Sequence, residues 1–180
     1  PTPVPPTPIP IRVEAPDMSI AIFQGKAEYR TSSEADWLPA VDAQPIEQGW
    51  SLRTLQVSVA VIEFADGSMV RLDPNTEVGI ELFEFLNGGP PDGERHARIR
   101  LVSGDIDFDV VDAPSPPNTW IFMTNEGAVT IQGTSGKLGW RVEAKNDYKA
   151  DSPASNKLNV KVEFKLSLLE GTASFARSSA

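Results

Sequence analysis

Leu52-Arg53-Thr54-Leu55-Gln56-Val57-Ser58-Val59-Ala60-Val61-Ile62-Glu63-Phe64-Ala65-Asp66-Gly67-Ser68-Met69-Val70-Arg71-Leu72-Asp73-Pro74-Asn75-Thr76-Glu77-Val78 reads as strand, turn, strand, turn. Successive residues of a strand point to opposite sides, so Ala60, Ile62 and Phe64 share one face. Val57, Val59, Val61 and Glu63 share the other. Valine on both faces predicts cover on both sides, at least where the strand starts. Asp66-Gly67-Ser68 between alternating runs predicts a hairpin, because Gly accepts the positive φ of a tight turn. Val70 and Leu72 continue the inward face. Asp73-Pro74-Asn75 predicts a second turn, with Pro fixing φ and the Asx side chains bonding to nearby backbone.

The same period-two alternation extends in both directions, with almost no helical periodicity. Ser19 to Phe23 alternates, and Ala27 to Arg30 is expected to pair with it across Gln24-Gly25-Lys26. Downstream, Val78, Ile80 and Leu82 alternate with Glu77, Gly79 and Phe83. Asn87 to Glu94 reads as a loop. Arg98 to Leu101 alternates, turns at Ser103-Gly104-Asp105, and resumes through Ile106, Phe108 and Val110. Pro114 to Asn118 is a further break. Trp120 to Thr124, Ala128 to Gln132, Leu138 to Val142 and Leu158 to Leu166 read as strands, with Lys145 to Lys157 as a polar loop. A last hairpin is expected at Glu170-Gly171-Thr172. The pattern predicts an all-β fold of about ten to twelve short strands. It fits a twisted two-sheet sandwich or a solenoid-like stack, with a jelly roll as the alternative.

Forty percent of the 180 residues are apolar and four are tryptophan, a composition that supports a packed core. There is no cysteine, which excludes disulfides and thiolate metal sites. Lys and Arg total 16 against 25 Asp and Glu, a formal charge of −9. That balance opposes nucleic-acid binding and adsorption to anionic lipid. Pro1 to Pro16 reads as a polyproline-II spacer, a stalk expected to lead from an upstream membrane anchor, with residues 17–180 forming the domain.

Several blocks resemble the FecR domain. They are Gly49 with Leu52-Arg53-Thr54, then Phe64-Ala65-Asp66-Gly67-Ser68, Val70-Arg71-Leu72 and Pro74-Asn75-Thr76. Ile99-Arg100-Leu101 with Gly104-Asp105-Ile106 is similar to the family's Leu-x-x-Gly strand pair. Gln132-Gly133-Thr134 stands where the family tends to show Arg-Gly-Thr, and Leu168-Leu169-Glu170-Gly171 resembles its closing turn. The resemblance runs from about Ser19 to Phe175. It implies an all-β domain outside the cytoplasmic membrane that takes part in relaying a signal. The anti-sigma helices and receptor-contacting domain of the family's iron-uptake regulators are not in this sequence, so their roles do not transfer.

Chemistry-bearing residues are sparse. His96 beside Glu94 and Arg95 reads as a solvated loop histidine, without the nucleophile and carboxylate that a catalytic histidine needs. Asp105, Asp107 and Asp109 alternate along one strand, with Asp112 just beyond. They form a weak Ca²⁺ candidate that requires further oxygens from a neighbour. The competing reading is an acidic stripe that resists edge-to-edge pairing. Glu77 and Glu81 face outward, where a general acid would lack a desolvating cleft. Trp37 and Trp50, in loop-like contexts, are candidate ligand-binding residues for sugar stacking, whereas Trp140 shares a face with Leu138 and Val142 and reads as core.

The expectation is therefore a module that is not an enzyme and carries no cofactor. It would act at the bacterial cell surface or in the periplasm, relaying a signal or scaffolding through an unidentified protein partner outside the cytoplasm. A carbohydrate-binding or adhesion module, with a glycan as partner, is the alternative.

Overall fold

The computed structural model describes residues 18–86, 94–111, 119–125, 127–132, 134–146, 158–168 and 172–177. The Pro-rich tract, the 87–93 loop, Asp112, the 114–118 break and the last hairpin's Glu170-Gly171 lie outside the described residues. So do 147–157 and the side chains of Leu138, Trp140 and Val142.

Among the described residues fourteen strands follow one another. They are β1 (Met18–Gln24), β2 (Ala27–Arg30), β3 (Leu38–Pro39), β4 (Gln44–Pro45), β5 (Ser51–Thr54), β6 (Val59–Phe64) and β7 (Met69–Leu72). Then come β8 (Glu77–Leu86), β9 (Glu94–Val110), β10 (Thr119–Met123), β11 (Gly127–Gln132), β12 (Thr134–Asn146), β13 (Leu158–Leu168) and β14 (Thr172–Arg177). No helix occurs among the described residues, so the all-β expectation holds. β3 and β4 span two residues each, so the other twelve carry the sheet as expected, although β9 alone runs 17 residues.

Hydrogen bonds join all fourteen strands into one sheet that folds over on itself into two layers. Layer A runs β4-β1-β6-β7-β9-β12-β13. Layer B runs β3-β2-β5-β8-β9-β10-β11-β14. Among the described residues every pairing is antiparallel except β9 with β10. The layers are thus halves of a continuous sheet rather than two separate ones, because β9 serves both. Its first half pairs with β8, its second with β7 and β12.

The expected turn at Ser103-Gly104-Asp105 is instead a bend within β9, where Gly104 sits at φ 93°. No backbone reversal is needed, since the chain only passes from one layer to the other. A similar correction applies upstream. β1 and β2 do not pair with each other; β1 pairs with β4 and β6, and β2 with β3 and β5. Gly25, at φ 71°, carries the chain across the layers. Its missing Cβ leaves room for Ser58, whose Oγ would stand 2.3 Å from that atom and which accepts from the Lys26 N–H at 2.9 Å.

Ile20, Ala60, Ile62, Val70, Leu72, Ile106 and Phe108 of layer A are buried against Leu52, Val78, Ile80, Ile99, Leu101, Trp120 and Phe122 of layer B. Aromatic rings fill one end of this core. Phe64 meets Phe83 at 4.8 Å and Trp120 at 4.9 Å between centroids, and Phe108 meets Phe122 at 4.9 Å. Tilted and edge-on geometries of this kind place ring edges against ring faces. The Ala60, Ile62 and Phe64 face is buried as the alternation requires. Val57 lies ahead of β6, exposed and at φ 59°, so cover on both sides begins only with Val59 and Val61. Along β8 a register shift between Ile80 and Leu82 changes the parity. Phe83, expected outward, is buried, and Leu82 is half-buried. A bulge inserts one residue, and one residue exchanges the two faces of a strand.

Candidate functional site

The turn residues of the Leu52 to Val78 stretch form two clasps, one at each end of the folded sheet. At the first, Gly67 (φ 86°) closes the β6–β7 hairpin. The Asp66 carboxylate accepts from the N–H and hydroxyl of Ser68 at 2.8 and 2.9 Å. Ser68 Oγ in turn accepts from the Val111 N–H at 3.0 Å, and Arg95 of layer B reaches Asp66 across the core. At the second, the Thr54 hydroxyl donates to the Asp73 carbonyl at 2.6 Å and accepts from the Thr76 N–H at 3.1 Å. Thr76 Oγ1 donates to the Asp105 carbonyl and accepts from the Asp105 N–H, at 3.0 and 3.1 Å. Thr54, Thr76 and Ser68 are all buried, so these bonds satisfy backbone groups that water cannot reach. Nothing in either clasp presents a reactive group to a substrate.

The two tryptophans singled out for sugar stacking do different things. Trp50 stacks on Tyr29 at 4.9 Å with an interplanar angle of 12°, and both pack against the core. Trp37, just before β3, lies under the guanidinium groups of Arg30 and Arg53, 4.5 and 4.2 Å from its ring centroid. Those arginines belong to a charged outer face of layer B. Arg53 donates to Glu28 at 2.7 Å, and Arg30 donates to Glu77 at 3.1 Å. The structure therefore brings Trp37 and Trp50 to no common platform, and the Trp37 ring already carries cations that favour its π face.

Of the acidic stripe, Asp107 is paired with an arginine. Arg71 stands 3.1 Å from Asp73 and 3.6 Å from Asp107. Asp105, Asp107 and Asp109 do share the outer face of layer A, opposite buried Ile106, Phe108 and Val110. Among the described residues, no three His, Asp or Glu side chains converge as metal ligands would. Glu77 is paired with Arg30, and Glu81 accepts from Arg100 at 2.6 Å. His96 lies in strand β9 rather than in a loop, opposite Glu84 and Thr119 in register.

Sequence reading missed an apolar hollow on the outer face of layer A. It has a volume of about 370 Å³ and is lined by Phe23, Gln24, Val59, Val61 and Arg71. A register shift between Ile22 and Gln24 falls at Phe23, which is 70% exposed. Next to it along the same face run two cross-strand rows. One is Ser19, Glu63, Met69 and Asp109; the other is Ala21, Val61, Arg71 and Asp107. Valine on both sides of β6 was the signal in the sequence; Val61 is buried as that pattern predicts, and Phe23 beside it is exposed.

A family model described as FecR protein matches residues 51–150. The chain belongs to the FecR family. That family is involved in signal transduction across the membrane. No curated protein and no solved structure matches the chain. Both clasps lie within the FecR match, which begins at β5, so the blocks that mark the family are the ones that fasten its two layers. β1 to β4, ahead of the match, are hydrogen-bonded into the same sheet. The hollow therefore combines Val59, Val61 and Arg71 from the FecR segment with Phe23 and Gln24 from outside it.

Proposed function

We propose that this FecR-family chain is a non-catalytic module standing outside the cytoplasmic membrane, where it relays a signal or holds an assembly by contact with another protein. The observation that carries this reading is the apolar hollow at Phe23, Val59 and Val61, where Phe23 is left exposed above a buried Val61. A soluble sheet normally turns polar side chains to water, so an aromatic ring left open beside two valines suits a partner surface. The family's part in signalling across the membrane supports the same reading. Apart from Asp66, which the buried Arg95 holds, the carboxylates in described ion pairs are held by arginines on outer faces, which suits solubility and recognition better than acid–base chemistry.

The test uses the protein in its own cell. Phe23→Ser combined with Val59→Lys should abolish the signal-dependent response that deletion of residues 51–150 abolishes. Protein level should be unchanged, and protease added to the outside of spheroplasts should still digest the domain. An unchanged response would sink the contact reading, and a domain protected from external protease would sink the location.

A further inference from the structure

We propose that the hollow on layer A receives an apolar side chain of a partner polypeptide whose neighbouring residues are lysine or arginine. This rests on the protein-contact reading above and adds the chemistry of the partner. Val59 and Val61 form an apolar floor, Phe23 a wall, and Gln24 and Arg71 a polar rim. Beyond that rim the described side chains are mostly acidic, and Lys137 of β12 stands opposite Asp107 in register. Glu63 and Asp109 flank Met69 in one cross-strand row and are exposed, while Asp73 and Asp107 already hold Arg71. Arg71 is thus offset twice over, and among the described side chains next to the hollow Glu63 and Asp109 remain as the charges facing outward. A partner with basic residues on either side of an apolar one meets both features at once, since alternate residues of an extended segment reach the same face.

Other occupants fit less well. A second copy would set like charges against each other, in a chain whose formal charge is −9. An anionic lipid surface meets the same repulsion. Val57 gives independent support. It is β-branched, sits at φ 59° and leaves its side chain 65% exposed, two residues ahead of Val59. Strained backbone and an exposed apolar side chain both oppose stability, so the residue fits a surface kept for contact.

The chain is titrated with two acetylated eight-residue peptides, one alternating lysine with leucine and valine, the other with glutamate in place of lysine. The lysine peptide should shift amide resonances of 19–24, 59–63 and 69–71. Its affinity should fall about ten-fold or more in Phe23→Ser, a change at an exposed position that leaves the fold intact. Asp109→Lys should weaken it as well and narrow the preference over the glutamate peptide. Equal binding of both peptides, shifts confined to other strands, or a dimer of the chain that buries this face would each overturn the proposal. If the lysine peptide fails while Phe23→Ser with Val59→Lys still abolishes the cellular response, only the partner chemistry is wrong. If the response also survives, the contact reading falls with it.

Discussion

Arg95 Nε stands 3.3 Å from Oδ2 of Asp66, and the two side chains are 4% and 0% exposed. One residue opens β9 in layer B; the other sits in the β6–β7 turn of layer A, so the pair ties the layers together across the core. Buried charges of this kind are held by each other and by hydrogen bonds, and removing one partner leaves the other uncompensated. Arg95→Met should therefore cost about 3–5 kcal/mol in urea unfolding. Asp66→Asn on that background should cost much less than it does alone. A loss under about 1 kcal/mol for Arg95→Met would place the pair among ordinary surface bridges.

How far the fold was legible depended on whether the deciding interaction was local. Asp66-Gly67-Ser68 announced its hairpin because turn chemistry lies within three residues. The inward face of Ala60, Ile62 and Phe64 followed from alternation alone. Arg95 gave no such signal, because its partner lies 29 positions earlier and in the other layer. The two corners at Gly25 and Gly104 looked like hairpin turns for the same reason. A glycine with positive φ serves a reversal and a layer crossing equally, and only the choice of strand partner separates them. The hollow escaped notice because Phe23 reaches it through a register shift, and alternation carries no information about where a register slips.

Gly104 tests the second clasp. A Cβ there would stand 2.3 Å from Thr76 Oγ1 and 2.6 Å from Thr76 Cα, and the second of these is backbone that has no rotamer to escape by. At Gly67 the nearest atom to such a Cβ is a Val111 methyl carbon at 3.5 Å, an ordinary contact. Gly67→Ala should thus cost only its backbone strain, about 1–2 kcal/mol. Gly104→Ala should cost clearly more, and Thr76→Ser should not rescue it. Equal losses in thermal melts would show that the close approach of Thr76 and Gly104 is not a constraint.

At Val57 the expected sign is reversed. Asn tolerates the left-handed region better than a β-branched residue does. Val57→Asn should therefore stabilise the fold by about 1 kcal/mol. The same change should weaken binding of the lysine peptide if Val57 is kept for contact. Such a trade of stability against recognition is common at functional surfaces. A destabilised Val57→Asn would mean that the valine side chain packs in a way its exposure conceals.

The bulge in β8 makes the last prediction, and it separates two readings of one strand. Plain alternation from Val78 and Ile80 puts Leu82 in the core and Phe83 in water. The register shift after Ile80 puts Phe83 there instead, against Phe64 at 4.8 Å and Phe85 at 5.4 Å. Truncating a buried aromatic removes its contacts and leaves a cavity that the neighbouring rings cannot fill. Phe83→Ala should accordingly cost about 3–5 kcal/mol, and Leu82→Ala roughly 1 kcal/mol. The reverse order in chemical denaturation would return β8 to unbroken alternation and remove the aromatic cluster's link between the layers.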